Sequence, residues 1–165
     1  MTMANSCVNT PEESSFYLKL NYSRRERSKD SNHQTTNITI KNRIIEYSAT
    51  HGGRHARPNI TKEFKLTEEA ENKLVEYLRN HKLNQNIKEN IDNVSPGINV
   101  DLSLEINIGE ITTKSEVSGA VKVWGSKEYV EKQNKQTIKN KDYYNEIHSL
   151  LVFMKSKLGF KEIVI

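Results

Sequence analysis

The sequence predicts an α+β fold: a mainly antiparallel sheet of about five strands, in the order β-β-β-α-β-β-α, covered on one face by two helices. Three observations carry this expectation. Ile98, Val100, Leu102, Leu104, Ile106 and Ile108 alternate strictly with Asn99, Asp101, Ser103, Glu105 and Asn107, the period of a strand with one wet face. Tyr143, Ile147, Leu150, Leu151, Met154 and Leu158 instead recur at the spacing of one helix face. The remaining candidate elements are likewise apolar on one side, and such elements bury best as an antiparallel sheet with helices against a single face.

Residues 1–15 mix Asn, Ser, Thr, Pro and Glu without a period, so they are expected to be disordered, leaving 16–165 as a single α+β domain. The first strand starts at Phe16, where Phe16, Leu18, Leu20 and Tyr22 alternate with polar neighbours, and stops in the hydrophilic stretch from Arg24 to His33. A second strand begins near Thr35 with Thr36, Ile38 and Ile40 on one face. Lys41-Asn42 offers a tight turn into a third strand, Arg43 to Ala49. The segment His51 to Pro58, with Gly52 and Gly53, reads as a loop because paired glycines allow positive φ and Pro58 lacks a donor.

Thr67 caps a helix expected over 67–81: Glu68 and Glu69 suit its dipole, and Ala70, Leu74, Tyr77 and Leu78 form its apolar face. Residues 84–96 read as one helical turn or an irregular crossing. The long strand at 98–108 turns at Gly109-Glu110 into a return strand through Val123, with a bulge placed at Gly119. A Lys- and Asn-rich connection over 126–141 leads to the last helix, capped by Asn140 or Asp142 and ended by Gly159, with Phe160 folding back onto it. Ile163, Val164 and Ile165 are read as a short edge strand.

A chain of 165 residues, 35 % hydrophobic, can close one core. Its longest apolar run, Leu150 to Met154, falls far short of the ~20 residues a membrane span needs. The first fifteen residues hold no secretory apolar region, and Cys7 is the single cysteine, so a cytoplasmic setting without internal disulfides is the default. Gly-rich phosphate or dinucleotide loops, HExxH and EF-hand signatures are absent from the chain.

The functional expectation follows from topology. In a meander, the loops after strands one and three lie at the same end of the sheet. That would gather Arg24, Arg25, Arg27, Lys29 and His33 with His51, Arg54, His55 and Arg57, while Gly52 and Gly53 let backbone N–H groups approach an anion. The rim therefore points to a non-enzymatic binding module, of adaptor or inhibitor type, whose partner is a protein with an acidic surface or another anionic target. Nucleic acid or a nucleotide is the alternative, set back by the lack of interleaved aromatic residues. The bland reading is a pair of solvated hairpin loops, with Glu26 and Asp30 offsetting part of the charge.

Other constellations carry less. His33, His51 and His55 could offer imidazoles to zinc, but adjacent arginines oppose a cation, so no metal is expected. Asp101 and Glu105 share a strand face that exposure explains without catalysis. His81 and His148 are assigned to structure, and Trp124 is more simply a core cap than a partner's anchor. Neither a catalytic residue nor a cofactor is expected.

Overall fold

A computed structural model describes residues 15–27, 32–91, 97–132 and 136–165. In chain order the elements are β1 (Tyr17–Arg27), β2 (His33–Lys41), β3 (Ile44–Gly52), β4 (Arg57–Lys65), α1 (Glu68–Asn80), β5 (Ile87–Asn90), β6 (Gly97–Ile108), β7 (Ile111–Val123), α2 (Lys127–Lys132) and α3 (Lys141–Lys157). The class is α+β, with the sheet larger than the sequence predicts. Seven described strands run in the spatial order β4-β3-β2-β1-β6-β7-β5.

The structure departs from this expectation at five places. The hydrophilic stretch from Arg24 to His33, read as a loop that ends the first strand, is strand at both ends, because β1 runs on to Arg27 and β2 begins at His33. The expected loop over 51–58 shrinks to the Gly53–Ala56 connection, because β3 runs on to Gly52 and β4, which the sequence reading missed, begins at Arg57. The sheet is mixed, since β5 adds parallel to β7 from within the stretch read as irregular. The bulge falls just after Gly119, where Asn99 faces Ala120 and Ile98 faces Lys122. Residues 163–165 form no strand; instead the Val164 N–H donates to the Tyr47 hydroxyl at 2.9 Å. The disorder expected of residues 1–15 falls outside the described residues, Ser15 apart, as does Lys29.

Turn chemistry sets the meander. Asn42 and Arg43 both take positive φ, 50° and 59°, the pattern of a two-residue type I′ hairpin whose twist matches the strands. Arg43 is held in this costly region by its carbonyl, which accepts from Leu66 N–H at 2.7 Å, and by its guanidinium, 3.6 Å from the buried Glu71 carboxylate. Thr67 caps α1 as its spacing predicts, its hydroxyl accepting from Ala70 N–H at 3.1 Å. Asn140 precedes α3 without a side-chain cap bond; its amide and the Lys139 N–H both donate to Glu89 of β5, which brings a carboxylate to that helix start.

One face of the sheet carries the core. Leu18, Leu20, Ile38, Ile40, Ile45, Tyr47, Leu102, Leu104 and Ile106 lie beneath Leu74 and Leu78 of α1 and Ile147, Leu150, Leu151 and Met154 of α3. The opposite face is polar, with Asn21, Asn37 and Ser48 in one register row. Phe160 folds back as expected, its ring 5.0 Å from that of Phe64. The Tyr143 hydroxyl donates to the Leu83 carbonyl at 3.1 Å, and burial pushes this phenol up to about 12. Among the described residues, no helix is long and apolar enough to cross a membrane.

Within this core Thr36 is fully buried between Tyr22 and Ala49, and its hydroxyl finds no hydrogen-bond partner among the described residues. Burying an unpaired hydroxyl opposes folding, and valine keeps the branched shape without it. Thr36→Val is therefore expected to raise the free energy of unfolding by about 1 kcal/mol, read as a higher urea midpoint at unchanged slope. A lower midpoint would mean the hydroxyl is satisfied.

Candidate functional site

Strand register brings the basic positions together. Arg24 of β1 pairs with Gln34 of β2, Gln34 with His51 of β3, and His51 with Arg57 of β4. Alternation puts Arg24, Gln34 and His51 on the helix-facing side of the sheet, beyond the end of the apolar core, and the register shift between Ala49 and His51 brings Arg57 opposite His51. They line a cleft of about 320 Å³ together with Glu26, Asn32, His33, Gly52 and His55, closed on one side by Val164 and Ile165. The Val164 bond to Tyr47 is what holds that wall in place.

Charge in the cleft is predominantly positive. Among the described side chains of the cleft, Arg24 and Arg57 are exposed cations against one carboxylate, the half-buried Glu26. Burial, then the Arg57 charge and then His33, lower the His51 pKa below the usual histidine value. At neutral pH His51 is therefore an uncharged imidazole that can donate one hydrogen bond and accept another. The Asn32 Oδ1, an acceptor at the cleft wall, is buried without a hydrogen-bond partner among the described residues.

Gly52 has a role the glycine pattern alone does not reveal. A β-carbon there would fall 2.0 Å from His33 Cε1, so the imidazole lies directly against the glycine backbone. Of the two glycines it is Gly53 that needs its conformational freedom, at φ 94°.

The remaining sequence candidates fall elsewhere. Arg25 pairs with His33 and Asn99, and Arg27 with Gly97, so alternation turns both from the side that Arg24 occupies. Gly53 and Arg54 belong to the β3–β4 connection and are exposed. No group of three or more His, Cys, Asp or Glu arranged to hold a metal occurs among the described residues. Glu105 stands 3.5 Å from Lys114, an exposed cross-strand ion pair. His81 bonds Glu146 at 2.9 Å and stacks on Tyr77 with ring centroids 3.9 Å apart, tying α1 to α3.

One arrangement has no counterpart in the sequence reading. α3 crosses β1 so that the Tyr22 and Tyr144 hydroxyls meet at 2.8 Å, and beside them a second cleft of about 550 Å³ opens. Arg24 lines it as well as the first. Its only advance signal is the spacing of Lys141, Tyr144, Asn145 and His148, a second stripe along α3 next to the apolar one. No protein-family model matches this chain, and no curated protein matches it either.

Proposed function

We propose that the protein is a non-enzymatic binding module that engages an acidic segment of a partner protein through the cleft at the β1–β4 end of the sheet. The observation that supports this reading is the register row Arg24–Gln34–His51–Arg57, which sets two guanidiniums on either side of amide and imidazole donors. Guanidinium forks match carboxylates in geometry and charge, and a neutral imidazole beside them adds a donor that becomes a cation when an anion arrives. A nucleic acid would draw on the same cations but also on stacking surfaces.

The test is anisotropy titration of a labelled peptide carrying a glutamate in a neutral Gly/Ser background, against the same peptide with glutamine. Binding of the acidic peptide alone is expected, weakening as salt rises. The sign of the pH dependence follows from His51. Its lowered pKa leaves it unprotonated in the free protein, and a bound carboxylate raises that pKa, so binding takes up a proton.

Affinity should therefore increase as pH falls from about 7.5 to about 6, by at most about tenfold per unit. His51→Gln should flatten the dependence. The other charged or titratable groups facing His51, namely Arg24, Glu26, His33, His55 and Arg57, are unchanged in that variant. Equal binding of the glutamate and glutamine peptides would sink the proposal.

A further inference from the structure

We infer that the two clefts joined at Arg24 form one continuous groove, with a second carboxylate subsite made by Lys141, His148 and the Tyr22–Tyr144 hydroxyl pair, and that its ligand is an extended peptide bearing two acidic side chains. The inference rests on the anion-binding reading of the first cleft and extends it.

The second cleft is built from α3 and β1. Lys141, Tyr144, Asn145 and His148 lie one turn apart along a single helix face, and Tyr22 and Arg24 alternate with Ser23 on the helix-facing side of β1. None of the described side chains lining this cleft is acidic. The nearby carboxylate of α3 on the α1 side, Glu146, is already committed to His81.

The hydroxyl pair adds a donor. Two phenols that share a single hydrogen bond use one O–H proton between them and leave the other free. Burial, reinforced by the bond to Tyr144, raises the Tyr22 pKa and keeps this phenol protonated at any physiological pH. Lys141 stands at the first position of α3, where the helix dipole disfavours a cation.

A peptide fits this groove better than a nucleic acid. Tyr22 is 9 % exposed, and the Tyr144 ring leans on it at 5.9 Å and 34°, so neither ring offers an open platform for a base. Three basic side chains, Arg57, Arg24 and Lys141, are spread over both clefts. That suits separate carboxylates, which on alternate residues of an extended chain project to one side about 7 Å apart.

The decisive comparison uses the full chain and four labelled peptides: one glutamate, two glutamates separated by one residue, two separated by three, and an all-glutamine control. One of the two-glutamate peptides is expected to bind about tenfold tighter than the single-glutamate peptide, since the second contact forms within an already bound ligand. Lys141→Gln should remove that gain and leave single-glutamate affinity within about twofold, because the first cleft does not include it.

If the second glutamate adds nothing while the single-glutamate peptide still binds, the second subsite is wrong and the first cleft stands. If no acidic peptide binds, both fall. An oligothymidylate that displaces the two-glutamate peptide at equal ionic strength, and loses affinity in Lys141→Gln, would overturn the peptide as ligand.

Discussion

Leu20→Ala is expected to destabilise the protein by about 3 kcal/mol, within the 2–5 kcal/mol span for leucine truncation in a close-packed core. Leu20 is fully buried on β1, the strand between β2 and β6, and it pairs with Ile38 on one side and Leu104 on the other. Removing it strips apolar area from water-free surroundings and opens a cavity that two register-locked neighbours cannot collapse to fill. Urea unfolding followed by tryptophan fluorescence measures the effect. A loss below about 1 kcal/mol would mean that the sheet relaxes around the gap and that β1 is not the packing centre. Because Leu20 and the clefts occupy different parts of β1, the same variant, kept below its unfolding midpoint, should bind the acidic peptide normally.

The core was legible in the sequence wherever one face is buried and the other wet. β1, β2, β3, β6 and β7 show period-two alternation because helices cover only one side of the sheet. α1 shows Thr67 and its acidic first turn because an exposed helix start must satisfy its own N–H groups. β4 is hidden for the opposite reason. As an exposed edge strand it buries no side chain fully, and Lys62 holds the helix-facing position opposite Tyr47, breaking the apolar alternation between Ile60 and Phe64. β5 is four residues long and pairs parallel with β7, a contact that leaves no local signature. Ile163 to Ile165 look like a strand because they are apolar, but their burial comes from folding back after Gly159, with Ile163 in the core and Val164 tied to Tyr47.

The first cleft could be anticipated because a meander puts alternate connections at the same end, a rule of topology that needs no knowledge of side-chain packing. Which of the basic residues share a face is a matter of register. The odd and even positions of β1 diverge, so Arg24 and Arg25, adjacent in sequence, stand on opposite sides of the sheet. Gly52 matters through the imidazole against it rather than through φ, a contact between strands that no turn rule encodes. The second cleft depends on where α3 crosses β1, which joins Tyr22 to Tyr144 across 122 positions of chain. Long-range packing of this kind is specified by the whole core.

Arg24→Glu is the substitution with the largest expected effect on binding: about a hundredfold loss of affinity for the two-glutamate peptide, against the roughly tenfold effect of neutralising a single cation at one end. Arg24 lines both clefts, so reversing its charge acts on two carboxylates at once. It also sets a new carboxylate two residues from Glu26 on the same face, making the first cleft net acidic. Unit charges about 4–5 Å apart near a protein surface interact by roughly 3–4 kcal/mol before screening, so turning attraction into repulsion at partly solvated distances readily accounts for about 2.7 kcal/mol, the hundredfold. The side chain is exposed, so folding should be unaffected, and the urea midpoint serves as the control. Arg24→Gln should fall between wild type and Arg24→Glu, because it removes attraction without adding repulsion. If reversal instead weakens the single- and two-glutamate peptides by the same factor, Arg24 serves the first cleft alone and the groove is not continuous. If it weakens neither, the row that begins at Arg24 is a solvated strand end, and another role must be sought for the His51 imidazole and the Arg57 cation.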